Sequence, residues 1–81
     1  MTVTVKLFAA ARELVGAEEI EVELPAGANF GDLRRKLTAD KPMLAQVCGR
    51  ALFAANTRYV SDEDVIPAKG EIALIPPVSG G

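Results

Sequence analysis

Histidine and tryptophan are absent from this sequence of 81 residues, and cysteine occurs once, at Cys48. One thiol without imidazoles can form neither an internal disulfide nor a Cys/His zinc site. The absence of histidine also excludes a Ser/His/Asp triad, and the sequence has no P-loop motif for phosphate binding. We therefore expect a chain that holds no metal and has no complete catalytic apparatus of its own, with Cys48 as a small buried or half-buried residue.

An excess of basic residues and long apolar runs are missing as well. Nine Lys and Arg residues stand against eleven Asp and Glu residues, and this net charge of −2 disfavours a nucleic-acid partner. No apolar run approaches the ~20 residues of a membrane span, and the first residues lack the charged and apolar regions of a signal peptide. The sequence thus predicts a cytoplasmic domain with no membrane and no nucleic-acid partner.

The apolar residues that are present predict strands by their alternation. Residues 2–8 and 19–24 alternate apolar and polar side chains with a period of two, which is typical of half-buried strands. Residues 71–75 form the last apolar strand, and residues 51–55 and 59–60, separated by turn residues, favour a hairpin. The predicted sheet therefore contains strands from both ends of the chain.

Two segments between the predicted strands have helical character. Residues 9–15 have high helix propensity and are followed by Gly16, a residue suited to ending a helix. Asn29 is a good N-cap with Asp32 three residues later, and apolar residues then recur at helical spacing. This second segment is the predicted main helix, whereas residues 61–66 are expected to form only a short 3₁₀ turn.

These elements predict one α+β domain over residues 1–75, in which the main helix covers one face of a mixed sheet and leaves the other face open. The first and last strands are rich in Val, Ile and Leu, so we expect them to form the central pair. They would be parallel, because a helix crosses between them. If their alternate residues face the helix, Phe8 and Ile75 lie together on the open face, where exposed apolar side chains would form a docking patch.

The sequence ends in a short segment of different composition, Pro76-Pro77-Val78-Ser79-Gly80-Gly81. The two prolines cannot continue a strand, and the two glycines leave the terminal carboxylate narrow and free to move. We therefore expect a flexible extended tail, residues 76–81, that presents its α-carboxylate as the reactive group. A plainer interpretation is that the glycines belong to an ordinary disordered terminus.

Several stretches of the sequence are similar to one known family. They are Val5-Lys6-Leu7-Phe8-Ala9, Arg12-Glu13-Leu14-Val15-Gly16, Leu52-Phe53-Ala54-Ala55-Asn56, Val60-Ser61 and the end of the chain from Gly70 to Gly81. With them the chain resembles ubiquitin-like β-grasp proteins, and among these the small sulfur-carrying subunits of molybdopterin synthase. Ile75 is a departure, because an aromatic residue is expected there in some relatives.

The resemblance implies a cycle of sulfur transfer at the C-terminus. An adenylating enzyme similar to ubiquitin-activating enzymes uses ATP on the Gly81 carboxylate, and a sulfur donor then converts the carboxylate to a thiocarboxylate. The large catalytic subunit of molybdopterin synthase, in a heterotetramer with the carrier, places this sulfur on a cyclic pyranopterin precursor. The product is the dithiolene of the molybdenum cofactor, and the carrier itself is non-catalytic and binds no cofactor.

The same resemblance implies roles for individual residues. Gly81 is the site of adenylation and of the thiocarboxylate, and Gly80 gives clearance beside it. The residues that set the reach of the tail are Pro76, Pro77, Val78 and Ser79. The residues expected to bind the partner are Phe8, Tyr59 and Ile75, with Arg12 as a polar contact near them.

Other functions fit parts of the same sequence. A sulfur carrier for thiamine thiazole or another product would share the fold, the tail and the activation, although the Pro-Pro-Val-Ser-Gly-Gly end and the helix after the first strand argue against it. A ubiquitin-like modifier would instead end in an isopeptide with a lysine, and a plain interaction domain would make no use of the two glycines. The activating enzyme, the sulfur donor and the oligomeric state of the free carrier stay open.

Overall fold

Five strands and three α-helices make up the part of the chain that the structure describes, residues 1–76 of a computed structural model. In chain order the elements are β1 (Thr2–Leu7), α1 (Ala9–Val15), β2 (Glu19–Glu23), α2 (Phe30–Asp40), a 3₁₀ turn (Pro42–Leu44), α3 (Ala45–Cys48), β3 (Leu52–Ala55), β4 (Arg58–Val60) and β5 (Ile72–Ile75). The predicted strands, the hairpin of β3 and β4, and both predicted helices are confirmed.

The strands form one mixed sheet in the order β2-β1-β5-β3-β4. Strands β1 and β5 lie side by side at its centre and run parallel, with Val5 opposite Ile72 and Leu7 opposite Leu74. All the other neighbouring strands are antiparallel. The parallel pair requires a long crossover, which α2 provides between β2 and β3. The predicted α+β, β-grasp arrangement is therefore confirmed.

Helix α2 begins at a complete capping box. The side-chain oxygen of Asn29 accepts a hydrogen bond from the Asp32 amide at 2.8 Å, and the Asp32 carboxylate accepts one from the Asn29 amide at 3.0 Å. Its buried residues share one core with the inner side chains of the sheet: Phe30, Leu33, Leu37, Val3, Val5, Leu7, Phe53, Ile72 and Leu74. Full burial of such a side chain contributes about 1.5–3 kcal/mol, so this packing fixes α2 to one face of the sheet.

Arg34 joins α2 to the C-terminal end of α3 and to the turn after β4, two segments that lie far from it in sequence. Its Nη1 donates hydrogen bonds to the carbonyls of Cys48 and of Ala51, the latter at 2.8 Å. Its Nε and Nη2 donate to the Asp62 carboxylate at 3.1 and 2.8 Å. The guanidinium carbon also lies 5.0 Å from the centre of the Phe53 ring, within the range of a cation–π contact. Arg34 is thus a structural residue and not part of a solvated helix face.

The turn of the β3–β4 hairpin holds the start of β5 in place. Asn56 and Thr57 both have positive φ angles, 51° and 69°, as the tight hairpin turns require. The Asn56 amide donates to the Glu71 carbonyl at 2.9 Å, and the Asn56 side chain accepts from the Glu71 amide at 3.1 Å. A Cβ atom on Gly70 would lie 2.3 Å from the Asn56 Oδ1 atom, so only glycine fits at position 70.

The expectation of a 3₁₀ turn in residues 61–66 is wrong. The segment forms an ordinary turn in which the Asp64 side chain accepts a hydrogen bond from the Ser61 amide at 2.9 Å. Val65 then pairs with Asn29 as an isolated bridge, and the Ile66 amide donates to the Ala28 carbonyl at 2.9 Å. These long-range backbone bonds extend the chain after the turn, and sequence propensity contains no signal for them.

Candidate functional site

The face of the sheet opposite α2 carries the candidate site, and the strand register determines its members. Lys6 lies opposite Ala73, Ala73 opposite Ala54, and Ala54 opposite Tyr59, so these side chains form one row across four strands. Ile75 is half-buried at the end of β5, and Phe8 follows directly on β1 at the same end of the sheet. The predicted proximity of Phe8 and Ile75 on the open face is therefore found.

Large apolar side chains on this face are in contact with solvent. The exposed fractions are 45% for Phe8 and 68% for Tyr59. Phe8 is held there by backbone geometry, because it is the extended N-cap residue of α1 and the following Ala9 has a positive φ of 49°. Exposed apolar surface of this kind on a small domain is typical of a protein-binding site.

A shallow hollow of about 300 Å³ lies in the middle of this surface. We call it the open-face hollow, and its lining residues are Lys6, Phe8, Ala54, Thr57, Tyr59, Glu71, Ala73 and Ile75. Three of the four residues predicted to bind a partner thus surround one depression. Their positions agree with a shared role in docking, which stays a prediction.

One ion pair lies at the edge of the open-face hollow. The Lys6 Nζ atom lies 2.6 Å from a carboxylate oxygen of Glu71, and both side chains are largely exposed. The hydrogen bond from Lys6, together with its charge, lowers the pKa of Glu71, and the same contact raises the pKa of Lys6. Both groups are therefore charged near neutral pH, and the pair presents little net charge to a partner.

Arg12 lies in a neighbouring depression and not in the open-face hollow. This second depression has a volume of about 590 Å³, and its lining residues are Lys6, Leu7, Phe8, Arg12, Glu18 and Glu19. Phe8 and Lys6 line both depressions, so Arg12 lies beside the open-face hollow, and its role as a polar contact stays a prediction. Within residues 1–76, the ion pairs involve other residues and leave the Arg12 guanidinium available for a partner.

The predicted tail begins beside the open-face hollow. Pro76, its first residue, is buried, and Ile75 just before it lines the hollow. The other predicted tail residues, Pro77, Val78, Ser79, Gly80 and Gly81, lie outside the residues that the structure describes. The boundary after residue 75 and the roles of these residues remain predictions.

Leu52 is a surface residue that the sequence reasoning missed. It is 52% exposed, and it lies opposite Ile75 in the β3–β5 register, which places it on the open face beside the hollow. The only available signal was its alternation with Phe53, which is buried in the core. That signal is weak in a strand of four residues, because Ala54 and Ala55 are both small and both buried.

Other kinds of site find no support in the described part of the chain. Cys48 is buried, and its burial raises the pKa of the thiol, which makes it a poor nucleophile at neutral pH. Within residues 1–76, no cluster of three or more Cys, Asp or Glu side chains is arranged to bind a metal ion. In the same range no helix has the length and apolar character needed to span a membrane.

The sequence matches the model of the ThiS family over residues 5–81. Among curated proteins, the molybdopterin synthase sulfur carrier subunit of Chlamydomonas reinhardtii is 39% identical, and the match covers all of both chains. The subunits of the same name from Arabidopsis thaliana and Escherichia coli are 34% and 37% identical; each match covers 98% of this chain, and 82% and 99% of the respective relatives.

Solved structures agree with these relationships. SAMP1 from Haloferax volcanii superposes with a TM-score of 0.84 at 28% identity, and the match covers all of both chains. A chain in the complex of subunits 1 and 2 of the molybdopterin-converting factor from Helicobacter pylori superposes with a TM-score of 0.68. At 23% identity this second likeness concerns the fold alone. The chain described here belongs to the ThiS family, and its curated relatives are molybdopterin synthase sulfur carrier subunits.

Proposed function

We propose that this chain is the sulfur carrier subunit of a molybdopterin synthase and that its sulfur is held as a thiocarboxylate on Gly81. One observation carries the proposal: in a ThiS-family domain, the segment that ends in Gly80-Gly81 follows directly in sequence on β5, and Ile75 of that strand lines the same hollow as the exposed Phe8 and Tyr59. A partner bound on that surface would receive the chain end. The family match reaches Gly81, and the full-length matches to named sulfur carriers support the same role.

Activation of the chain end requires a second protein and ATP. A carboxylate is a poor electrophile at neutral pH, so the Gly81 carboxylate first attacks the α-phosphorus of ATP and pyrophosphate leaves. Sulfur at the oxidation level of sulfide then attacks the acyl carbon, and AMP departs with the oxygen. The adenylating enzyme binds the ATP, and the sulfur donor supplies the nucleophile. The carrier contributes a terminus without side chains, where Gly80 gives clearance around the acyl carbon.

The second half of the cycle takes place on the large synthase subunit. The thiocarboxylate sulfur is anionic and nucleophilic, and the tail carries it to a cyclic pyranopterin precursor bound by that subunit. The sulfur attacks a carbon of the precursor and displaces an oxygen substituent from it. Water then cleaves the bond between the sulfur and the acyl carbon, so that the sulfur stays on the precursor and the Gly81 carboxylate is released for another round. A dithiolene contains two sulfurs, so two carriers are needed for each product, which fits a heterotetramer of two carriers and two large subunits. The open face, with Arg12 at its edge, is the proposed docking surface.

The proposal is tested by reconstitution with the large subunit, the adenylating enzyme, ATP and a sulfide source. Mass spectrometry of the intact carrier should show first the adenylate and then the mass gained when sulfur replaces one oxygen at the terminus. Addition of the large subunit and the pterin precursor should give molybdopterin and return the carrier to its original mass. A carrier that gains sulfur but yields no molybdopterin would favour the alternative function, a sulfur carrier for thiamine thiazole, because both functions share the activation of the C-terminus.

A second candidate function is conjugation to other proteins. It is favoured by the likeness to SAMP1, the small archaeal modifier protein 1, at a TM-score of 0.84 over all of both chains. In that case the activated Gly81 would form an isopeptide with a lysine amine. Intact-mass analysis of the protein from cells separates the two functions, because conjugates add the mass of whole proteins to the chain.

A further inference from the structure

The floor of the open-face hollow consists of two alanines that lie directly opposite each other on neighbouring strands. Ala54 of β3 is paired with Ala73 of β5, and the larger side chains of Phe8, Tyr59 and Ile75 stand around them. Two small residues at the same level of adjacent strands leave a depression between the larger side chains around them. The hollow is therefore a consequence of this one pair of alanines.

The chain end determines which molecule covers the hollow. From Pro77 to Gly81 only five residues follow the described part of the chain. Fully extended, they reach at most about 18 Å. Any protein that acts on the Gly81 carboxylate must therefore lie within that distance of Pro76, and Ile75, the preceding residue, already lines the hollow. The partner that receives the tail therefore lies close to this part of the open face, which makes it the partner best placed to cover the hollow.

We infer that Ala54 and Ala73 form a socket for one large uncharged side chain of the large synthase subunit, an inference that rests on the proposed function. A cavity of roughly 150 Å³ is enough to hold benzene. The hollow of about 300 Å³ therefore accommodates one side chain of the size of leucine, methionine or phenylalanine, with space left at its open side. The two alanines thus set the size of the partner residue, which makes them specificity-determining residues.

The charges at the rim explain why the occupant is uncharged. Lys6 and Glu71 form an ion pair with an N–O distance of 2.6 Å, so neither is available to neutralise an ionised group in the socket. An ionised side chain placed between Phe8, Tyr59 and Ile75 would lose its hydration without gaining a partner. An apolar side chain avoids this cost, and the rim pair can remain in contact with solvent.

The test fills the socket and measures binding to the large subunit of the same organism by calorimetry. Ala73→Leu and Ala54→Leu should each raise the dissociation constant by about 10- to 100-fold, since a close-fitting contact tolerates little additional volume. Thr4→Leu is the matched control. Thr4 is exposed on the same face of β1, opposite Glu21, and does not line the hollow. The control should bind within about twofold of the wild type.

A complementary experiment identifies the occupant. Apolar surface residues of the large subunit are replaced by alanine one at a time and tested against the Ala73→Leu carrier. One of these replacements should restore binding, because the leucine on the carrier then fills the space that the partner side chain has left. If no replacement restores binding, the filled socket does not act through a single side chain and the inference is wrong.

The wild-type carrier separates failure of the inference from failure of the proposed function. Carrier with a chemically prepared C-terminal thiocarboxylate is mixed with the large subunit and the pterin precursor. No molybdopterin from the wild type would overturn the proposed function. If the wild type gives product and the folded variants Ala73→Leu and Ala54→Leu bind as the wild type does, the socket inference alone is wrong. Should either variant unfold, Ala73→Val, with a smaller residue suited to strands, gives the same comparison.

Discussion

Phe8 and Ile75 come from opposite ends of the chain, yet their side chains line the same hollow beside the start of the tail. The parallel pairing of β1 and β5 brings them together, since Leu7 lies opposite Leu74, Phe8 directly follows Leu7 after the end of β1, and Ile75 follows Leu74 in β5. Both point away from the core that α2 covers. Their proximity thus depends on the central strand pair and not on local sequence.

Replacement of both Phe8 and Ile75 by Asp should weaken binding to the large synthase subunit by several kcal/mol. Central apolar residues of an interface each contribute about 2 kcal/mol or more, and a buried charge adds a further penalty. The unfolding temperature should change little, because neither residue is fully buried. Calorimetric titration and thermal unfolding of the same variant check the two statements.

A matched control for that variant replaces Met43 and Val65 by Asp. These apolar residues are 46% and 63% exposed and do not line the open-face hollow. The control should bind the large subunit like the wild type. Normal binding of the Phe8/Ile75 variant would show that docking uses another surface, and loss of its fold would show that the two residues belong to the core.

Arg34→Lys should destabilise the domain by about 1–3 kcal/mol. A lysine cannot reproduce the hydrogen bonds of the guanidinium to the Cys48 and Ala51 carbonyls and to Asp62, and partly buried acceptors would be left without donors. The measurement is the free energy of unfolding in urea. Arg35→Lys is the control, because Arg35 is largely exposed and, within residues 1–76, its ion pair is with Asp32 on the helix surface. Its effect should stay within about 0.5 kcal/mol.

Stability should decrease in acid through carboxylates whose pKa is lowered in the folded state, among them Asp62 and Asp32. The hydrogen bonds and charge of Arg34 lower the pKa of Asp62, and the hydrogen bond from the Asn29 amide lowers the pKa of Asp32. A carboxylate with a lowered pKa in the folded state stabilises the fold at pH values above its unfolded pKa, about 4. That contribution is lost as the pH falls below 4 towards the folded values. Near neutral pH both groups are ionised in the folded and in the unfolded state, so their stabilising contribution is complete and does not change with pH.

Urea unfolding of the wild type and of Asp62→Asn at a series of pH values from 7 to about 3 checks this dependence. The variant should be less stable at pH 7 and should lose less stability in acid. Arg34→Gln should reduce the pH dependence in the same way, because it removes the cause of the shift at Asp62. Equal acid dependence of all three proteins would contradict the assignment.

Cys48→Ala should leave sulfur transfer intact in the reconstituted system. The thiol is buried, and burial raises its pKa, so it is a poor candidate for a persulfide carrier. A modest loss of stability, on the order of 1 kcal/mol, is expected from the smaller side chain in the core. The measurement is molybdopterin formation by the folded variant. Abolished transfer would show that Cys48, and not the C-terminus, carries the sulfur.

The features that could be predicted are those with a signal in a short stretch of sequence. Alternation identified the outer positions of β1 and β5, and with them the place of Phe8 and Ile75. The role of Arg34 could not be predicted, because its partners Cys48, at the end of α3, and Asp62, in the turn after β4, lie far from it in sequence. Nor could the hollow, since Ala54 and Ala73 show their effect only when the register places them opposite each other.

Changes at the last two residues should abolish product formation without affecting the folded domain. The tested variants are deletion of Gly81, addition of one glycine after it, and Gly80→Val. A valine would crowd the acyl carbon, and one added residue would move the carboxylate by up to about 3.5 Å. Acyl transfer tolerates little misplacement, since about 1 Å can cost about 10²-fold in rate.

The folded domain serves as the internal control for these tail variants. Their unfolding curves and their dissociation constants for the large subunit should match the wild type, because the docking surface of Phe8, Tyr59 and Ile75 is unchanged. Mass spectrometry then follows adenylate and sulfur at the terminus, and a molybdopterin assay follows transfer. Full activity of the chain extended by one glycine would contradict the proposal that the Gly81 carboxylate carries the sulfur, whereas docking without product locates the defect at the chain end.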